Sequence, residues 1–270
     1  MKMKLPSDTR QLKFIGLTAI ILVLGFSSVL AWNSYQENTK PLAKVKVVDT
    51  SYVNIVDTAQ LRLFKTVYEK IDVNRAEFLI KGRLSTIDGA DSTQHIANAN
   101  YVYSRKGNQF YFKLGDIEMS NGNEVSTYVD HKNLKVMLTP SKKVIPLALM
   151  PDINKLMKTI VDEGYSVTGT LNKVEGTVSL LNPYHLTCKE YKLVYDATTL
   201  LPKRLYIRLS NFQEPENKQK DKTIDLDLSL TSDESHLNEF LAQQIVNKKG
   251  KDWTLSPAYS TYELINKLQF

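Results

Sequence analysis

Residues 223–230, TIDLDLSL, decide the fold class. Ile224, Leu226, Leu228 and Leu230 alternate with Asp225, Asp227 and Ser229. Successive side chains on a strand point to opposite faces, so this period of two demands one dry face and one wet face. A helix would scatter the same apolar residues around its cylinder. The stretch predicts a strand in a sheet with one face in a core.

The pattern recurs on both sides of it. Phe78, Ile80 and Leu84 alternate with Leu79, Lys81 and Arg83. Phe110, Phe112 and Leu114 do so with Gln109, Tyr111 and Lys113, and Val125, Thr127 and Val129 with Ser126, Tyr128 and Asp130. Further runs lie at Leu134–Leu138, Tyr191–Tyr195 and Leu205–Leu209. Turn residues divide them: Asp88-Gly89, Gly107-Asn108, Asn121-Gly122-Asn123 and His131-Lys132-Asn133. Short strands joined by short turns pair antiparallel, because a parallel pair needs a long crossover. The expectation is a mainly β, α+β fold: one antiparallel sheet of about nine to eleven strands, curved or bent into an unclosed half-barrel. Helices are expected at 57–70, capped by Asp57 or Thr58, and at 151–162, each with an apolar stripe to cover the sheet. Residues 235–246 also read as helix, and 260–268 as a terminal one.

At the N-terminus the pattern changes. Phe14 to Trp32, FIGLTAIILVLGFSSVLAW, is a 19-residue run without charge. At ~1.5 Å per residue it matches the ~30 Å hydrocarbon core of a bilayer. Lys2, Lys4, Arg10 and Lys13 precede it, and such a basic flank stays cytoplasmic. The chain divides accordingly into a basic flank (1–13), a transmembrane helix or signal segment (14–32), a polar stalk (33–55) and a β domain with a C-terminal helical tail (56–270). The competing reading is a cleaved signal, since Val29 and Ala31 before Trp32 offer a small-residue cleavage pattern. No cysteine follows the run, so lipid attachment there is excluded.

Charge and composition narrow the function. The formal charge is +6, of which residues 1–32 hold +3, so the remainder is near neutral and carries no nucleic-acid stripe. Cys188 is the single cysteine, so no intramolecular disulfide forms. The four histidines, His95, His131, His185 and His236, have no metal-type spacing. Neither G-x-S-x-G nor H-E-x-x-H occurs. Gly164 and Gly169 have phosphate-loop spacing, but Thr170 replaces the required lysine. Asp130-His131 falls in a turn, and adjacent strand residues face opposite ways, which argues for a solvated turn over an acid–base pair. Lys248, Lys249 and Lys251 fit the C-terminus of a helix. No catalytic residue, metal site or cofactor is expected, and the chain reads as no enzyme. Met137, Met150 and Met157 fall around Pro146 and Pro151 beside the 151–162 helix. Methionine adapts to irregular apolar partners, either as core filling or as the lid of an acyl-chain cavity.

Two stretches carry a family resemblance. Residues 122–138, GNEVSTYVDHKNLKVML, form a glycine-led hairpin with Tyr-x-Asp before its turn. Residues 191–207, YKLVYDATTLLPKRLYI, place Tyr-Asp, a turn and Leu-Pro-Lys between two strands. In this and in element order, the chain over about 57–231 resembles the periplasmic lipoprotein-carrier superfamily, the LolA/LolB-like proteins. The resemblance implies an unclosed half-barrel with helices in its mouth, an apolar cavity for acyl chains, and neither catalysis nor cofactor. Phe110, Phe112, Met137, Met150, Ile153 and Met157 are then the candidate cavity residues. A retained anchor departs from a free shuttle, and the absent lipid-attachment cysteine departs from the outer-membrane receptor form. The expected function is a membrane-tethered envelope protein that binds lipid or lipoprotein, placed in the inner membrane with its domain in the periplasm. The alternative is a structural or adaptor subunit that docks other envelope proteins.

The topology is testable. A Ser51→Cys chain should react with a membrane-impermeant thiol reagent once the outer membrane alone is permeabilised. Labelling only after complete lysis would reverse the orientation.

Overall fold

Twelve strands form one open sheet in the computed structural model, which describes residues 52, 54–72, 75–141, 153–232, 234–241, 245–250 and 252–268. The expected 14–32 span, most of the stalk and Met150 lie outside the described residues. Among the described residues no helix is long and apolar enough to cross a membrane.

The first meander runs β1 (Glu77–Asp88), β2 (Ile96–Lys106), β3 (Gln109–Leu114), β4 (Ile117–Asn121), β5 (Val125–Asp130) and β6 (Lys135–Pro140). The second runs β7 (Ser166–Leu171), β8 (Glu175–Leu181), β9 (Cys188–Asp196), β10 (Pro202–Leu209) and β11 (Lys222–Ser232). They join because the first strand of one, β1, pairs antiparallel with the last strand of the other, β11. A late strand, β14 (Glu263–Asn266), adds parallel to β6, giving the order β14-β6-β5-β4-β3-β2-β1-β11-β10-β9-β8-β7. The two ends of that order do not pair, so the sheet is unclosed, and over this many strands the native twist curves it.

Register sorts the side chains onto two faces. Leu84, Leu226, Leu205, Leu193 and Val178 stand opposite one another on successive strands, and all are buried on the inner face. The 223–230 stretch therefore behaves as its alternation demands: Leu226 is buried, Ile224 and Leu228 pack against the same core, and Asp227 is exposed. Asp225 turns outward and pairs with Arg204. At the bulge after Lys81, Gly82 lies against β11 so closely that a Cβ there would sit 2.1 Å from the Asp227 carbonyl oxygen.

Helix α1 (Thr58–Tyr68) forms where the spacing predicts it, with Asp57 as its cap: the carboxylate accepts from the N–H of Ala59 and Gln60 at 2.9 and 3.1 Å. Its stripe, Leu61, Phe64 and Tyr68, continues into Ile71 on a short 3-10 turn and packs on the inner face at β7–β9. Helix α2 (Ile153–Asp162) buries Ile153, Leu156 and Ile160 in the same core.

Four expectations are corrected. The sheet has twelve strands rather than nine to eleven. Of the described residues in 235–246, α3 (Leu237–Leu241) alone is helix, and Val246–Lys249 is instead β12, paired with β13 (Asp252–Leu255). Lys248 and Lys249 therefore sit on a hairpin strand ending at Gly250 (φ 62°), not at a helix C-terminus. Residues 260–268 hold strand β14, because the open edge of β6 supplies hydrogen-bond partners that a short terminal helix would lack. The outer face is also less wet than the alternation suggests. The C-terminal arm crosses it, and Ile245, Tyr259, Leu255 and Tyr262 pack on Val129 and Val136.

Leu226→Ala should cost about 2–5 kcal/mol, as truncations in a packed core do. Asp225→Ala should cost about 0–1 kcal/mol, the range of an exposed ion pair. Denaturant melts showing equal losses would mean that the two faces are wrongly assigned.

Candidate functional site

One line of residues crosses the inner face. Strand register places Ile80, Tyr103, Phe112, Met119, Tyr128, Met137 and Ile265 side by side on β1, β2, β3, β4, β5, β6 and β14. Every member is apolar or aromatic. Ile80, Tyr103 and Phe112 are fully buried, whereas Met119, Tyr128, Met137 and Ile265 are half-buried. Tyr128, Met137 and Ile265 also stand outside the packed cluster that holds the first three. The tight inner core thus thins out between β3 and β4, and an apolar shelf about four strands wide continues beyond it at ~4.8 Å per strand. Edge-on ring contacts, Tyr101–Phe112 at 5.9 Å and Tyr103–Phe110 at 6.4 Å, form the rigid wall where the shelf begins. Burial pushes the Tyr128 phenol up to about 12, and the nearby Asp130 carboxylate adds to this. Tyr128 stays neutral, and the shelf carries no charge of its own along this line.

The structure places the predicted cavity residues unequally. Phe110 and Met137 are half-buried on the inner face, and Phe112 shares that face but lies fully inside the core. Ile153 is buried, and Met157 is half-buried against the core beside it. Of the methionines read together from the sequence, Met157 packs on the helix-covered core, whereas Met137 belongs to the shelf. Met119, Tyr128 and Ile265 were not singled out by sequence reasoning. The signal available for Met119 and Tyr128 was alternation within β4 and β5. For Ile265 no local signal exists, since β14 reaches the sheet only through a non-local pairing.

The outer face holds a different arrangement. Glu118 is buried on β4, and its carboxylate accepts from His131 Nε2 at 2.9 Å. With that nitrogen protonated, His131 Nδ1 accepts from the Tyr262 hydroxyl, also at 2.9 Å. A buried acid is thereby linked through the imidazole to the C-terminal arm. Asp130 takes no part: it accepts from the backbone N–H of Lys132 and Asn133 at 3.0 Å and shapes the turn. Adjacent residues thus serve separate faces, as alternation implies, although Asp130 is buried rather than solvated. Beside this network, Tyr111, Ser120, Thr127, Phe240, Lys248 and Trp253 line a cavity of about 360 Å³ between the sheet and the arm. Phe240 stacks on Tyr111 at 4.7 Å. The Cys188 thiol is buried, and that burial pushes it up to about 12, so it is chemically quiet. Among the described residues no group of three or more His, Cys, Asp or Glu side chains is arranged to hold a metal.

No protein-family model matches the chain. No curated protein matches it either. Solved structures with a similar course include three of this kind. A DUF1329 family protein from Desulfovibrio piger is 9% identical over 69% of this chain and 97% of its own, with a TM-score of 0.28. A domain described as outer membrane lipoprotein-sorting, from Vibrio parahaemolyticus, is 8% identical over 68% of this chain and 96% of its own, at 0.27. A LolA superfamily protein from Nitrosomonas europaea is 12% identical over 62% of this chain and 92% of its own, at 0.23. The last of the three carries the superfamily name to which the sequence resemblance points. At such scores they add no argument of their own, and the fold rests on the strand order above.

Removing the imidazole tests the outer-face network. His131→Ala should destabilise the chain by about 1–3 kcal/mol, because the buried Glu118 carboxylate loses its hydrogen-bond partner at 2.9 Å and keeps only the longer ion pair with Lys113 at 4.0 Å. The change should also speed proteolysis of the arm after residue 245. A variant as stable as the parent would mean that Glu118 is satisfied some other way.

Proposed function

We propose that this chain is a non-enzymatic, membrane-tethered envelope protein that binds acyl chains of lipid or lipoprotein on its inner face. The observation that supports this is the row running from Phe112 to Ile265, whose members stay apolar while their burial falls. Water gains little from such a surface, and a flexible hydrocarbon chain gains about 25 cal/mol for each Å² it removes from contact with water. Methionines at Met119 and Met137 adapt to a chain of no fixed shape. The uncharged run 14–32 and its basic flank support an inner-membrane tether with the domain on the periplasmic side. A chain cleaved before Trp32 would carry the same binding face as a free periplasmic protein.

A second reading has its own support. The cavity between the outer face and the arm mixes aromatic walls with Ser120, Thr127 and Lys248, a lining that suits a peptide segment better than an alkyl chain. The chain would then act as an adaptor that docks another envelope protein.

A fluorescent fatty-acid probe separates the two. It should bind the 33–270 segment saturably, and Met137→Asp should weaken binding at least tenfold, with circular dichroism unchanged. A charge on the shelf opposes burial under an alkyl chain. Native mass spectrometry of the same segment should show co-purified lipid. No saturable probe binding and no lipid adduct would discard the acyl-chain reading in favour of docking.

A further inference from the structure

The cavity between the outer face and the C-terminal arm is lined by groups of distinct chemistry. Its floor lies on β4 and β5. Ser120 and Thr127 stand opposite each other there, and their hydroxyls are hydrogen-bonded at 2.6 Å. One hydroxyl donates to the other, so the accepting one keeps its own proton. Among the described residues no further group takes that proton. Thr127 is only 5% exposed, and a donor so deeply placed calls for a partner.

One wall is aromatic. Phe240 on α3 stacks on Tyr111 at 4.7 Å, with 8° between the ring planes. The Lys81 ammonium stands over the remaining face, 5.1 Å from the ring centre. With both faces taken, Phe240 turns only its rim to the cavity. The rim of an aromatic ring is its positive edge, and it packs best on the face of another ring. A second wall is the β12–β13 hairpin. Val246 and Lys248 lie two apart on β12 and share a face, and register sets Trp253 opposite Lys248.

The mouth is a fixed turn between β4 and β5. Gly122 N–H donates to the Val125 carbonyl at 2.9 Å, and Ser141 N–H to the Glu124 carbonyl at 3.1 Å. The Ser141 hydroxyl donates to the Gly122 carbonyl at 2.7 Å. The Glu124 carboxylate pairs with the Lys248 ammonium, so the two charges in the described lining answer each other.

An occupant has to meet all of these at once. It carries no charge. It shows a ring face to Phe240 and apolar surface to Ile245, Val246 and Trp253. At one point only, it exchanges hydrogen bonds with the Ser120–Thr127 pair. An alkyl chain would leave the hydroxyl proton unpaired. A saccharide would press several hydroxyls against Val125, Ile245 and Val246, which cannot bond them. An anion finds no unanswered cation. A phenol satisfies every wall, with an apolar body and one tip that both donates and accepts. Tyrosine is the side chain that carries one, and aromatic side chains seated in pockets are the usual anchors of protein docking. A cavity of about 360 Å³ admits such a ring.

We propose that this cavity is a pocket for a tyrosine side chain presented by another polypeptide. The ring rests against Phe240 and Trp253, and the hydroxyl meets Ser120 and Thr127. This rests on the docking reading of the proposed function and not on acyl-chain binding.

The test uses the full chain in phosphatidylcholine vesicles, carrying Trp32→Phe so that Trp253 is its single tryptophan. The probes are N-acetyl-Gly-Tyr-Gly-amide and its phenylalanine counterpart. The tyrosine peptide should change Trp253 emission saturably and bind several-fold more tightly than the phenylalanine peptide. Combining Ser120→Ala with Thr127→Val should abolish that preference and leave the phenylalanine peptide's affinity in place. If the double variant does not fold by circular dichroism, either single variant should still narrow the preference. No saturable response to the tyrosine peptide, equal affinity for the two peptides, or a preference untouched by these substitutions would each overturn the proposal. A photo-cross-linking amino acid in place of Asn123, read in intact cells, separates this result from the docking reading. Cross-linking to an envelope protein without a tyrosine preference overturns the proposal and leaves docking standing. A tyrosine preference without a cross-linked protein supports the pocket and counts against the adaptor role alone.

Discussion

The pairing of β1 with β11 is the contact on which the rest of the molecule depends. Each belongs to a meander whose other contacts are between sequence neighbours, and only this seam makes them one sheet. It joins residues separated by about 150 positions, and such a pairing forms only after a large loss of loop entropy. Its stability comes from two sources. One is the ladder itself, running from Leu79 opposite Ser232 to Asp88 opposite Lys222. The other is the inner face, where Leu84 and Leu226 meet beneath the aromatic and aliphatic core. Gly82 permits the close approach at the bulge, since any side chain there would enter the backbone of β11.

Once the seam exists, the two halves of the inner face fare differently. Helix α1 packs on β7–β9 and against α2, and both helices bury their stripes in the core shared with β1. Toward β4–β6 and β14 the apolar row continues but is only half-buried. Among the described residues this inequality follows from the number and length of the helices on that face. Two helices of eleven and ten residues span about 16 Å each, and a twelve-stranded sheet is several times wider. The candidate ligand face is what such a sheet leaves beyond its helices.

The outer face solves the opposite problem. Its alternating residues include Val129, Val136 and the acid Glu118, so part of it needs cover and one group needs a partner. The C-terminal arm supplies both: Ile245 and Tyr259 pack on the valines, while Tyr262 completes the hydrogen-bond chain through His131 to Glu118. Strand β14 then blunts the exposed edge of β6. Among the described residues this leaves two surfaces of different character: a half-covered apolar shelf inside and an amphipathic cavity outside.

Local pattern was enough for much of this. The alternation at 223–230 and 109–114 assigned strands and faces, and at 125–138 it assigned strands but put the valines, which lie on the outer face, on the side of the core. The stripe Leu61, Phe64, Tyr68 and Ile71 located the first helix, and Asp57 marked its start. Residue types along a strand determine these features, whatever the strand pairs with. Strands without apolar contrast escaped. The Ile96-Ala-Asn-Ala-Asn start of β2 has small and polar residues on both sides, β7 is an edge strand exposed over most of its length, and β4 buries a glutamate on its outer face. Register and partners lay beyond the sequence altogether. Met137 could be read as apolar, but its place beside Tyr128 and Ile265 depends on a parallel strand arriving from more than a hundred residues away. His131 could be read as a turn residue, but its link to Glu118 and Tyr262 exists only because the arm returns across the sheet. The chain's own residues determined which faces are dry. Which strands meet, and hence where the dry face is only half-buried, was decided by long-range pairing, whose entropy and contacts no local window contains.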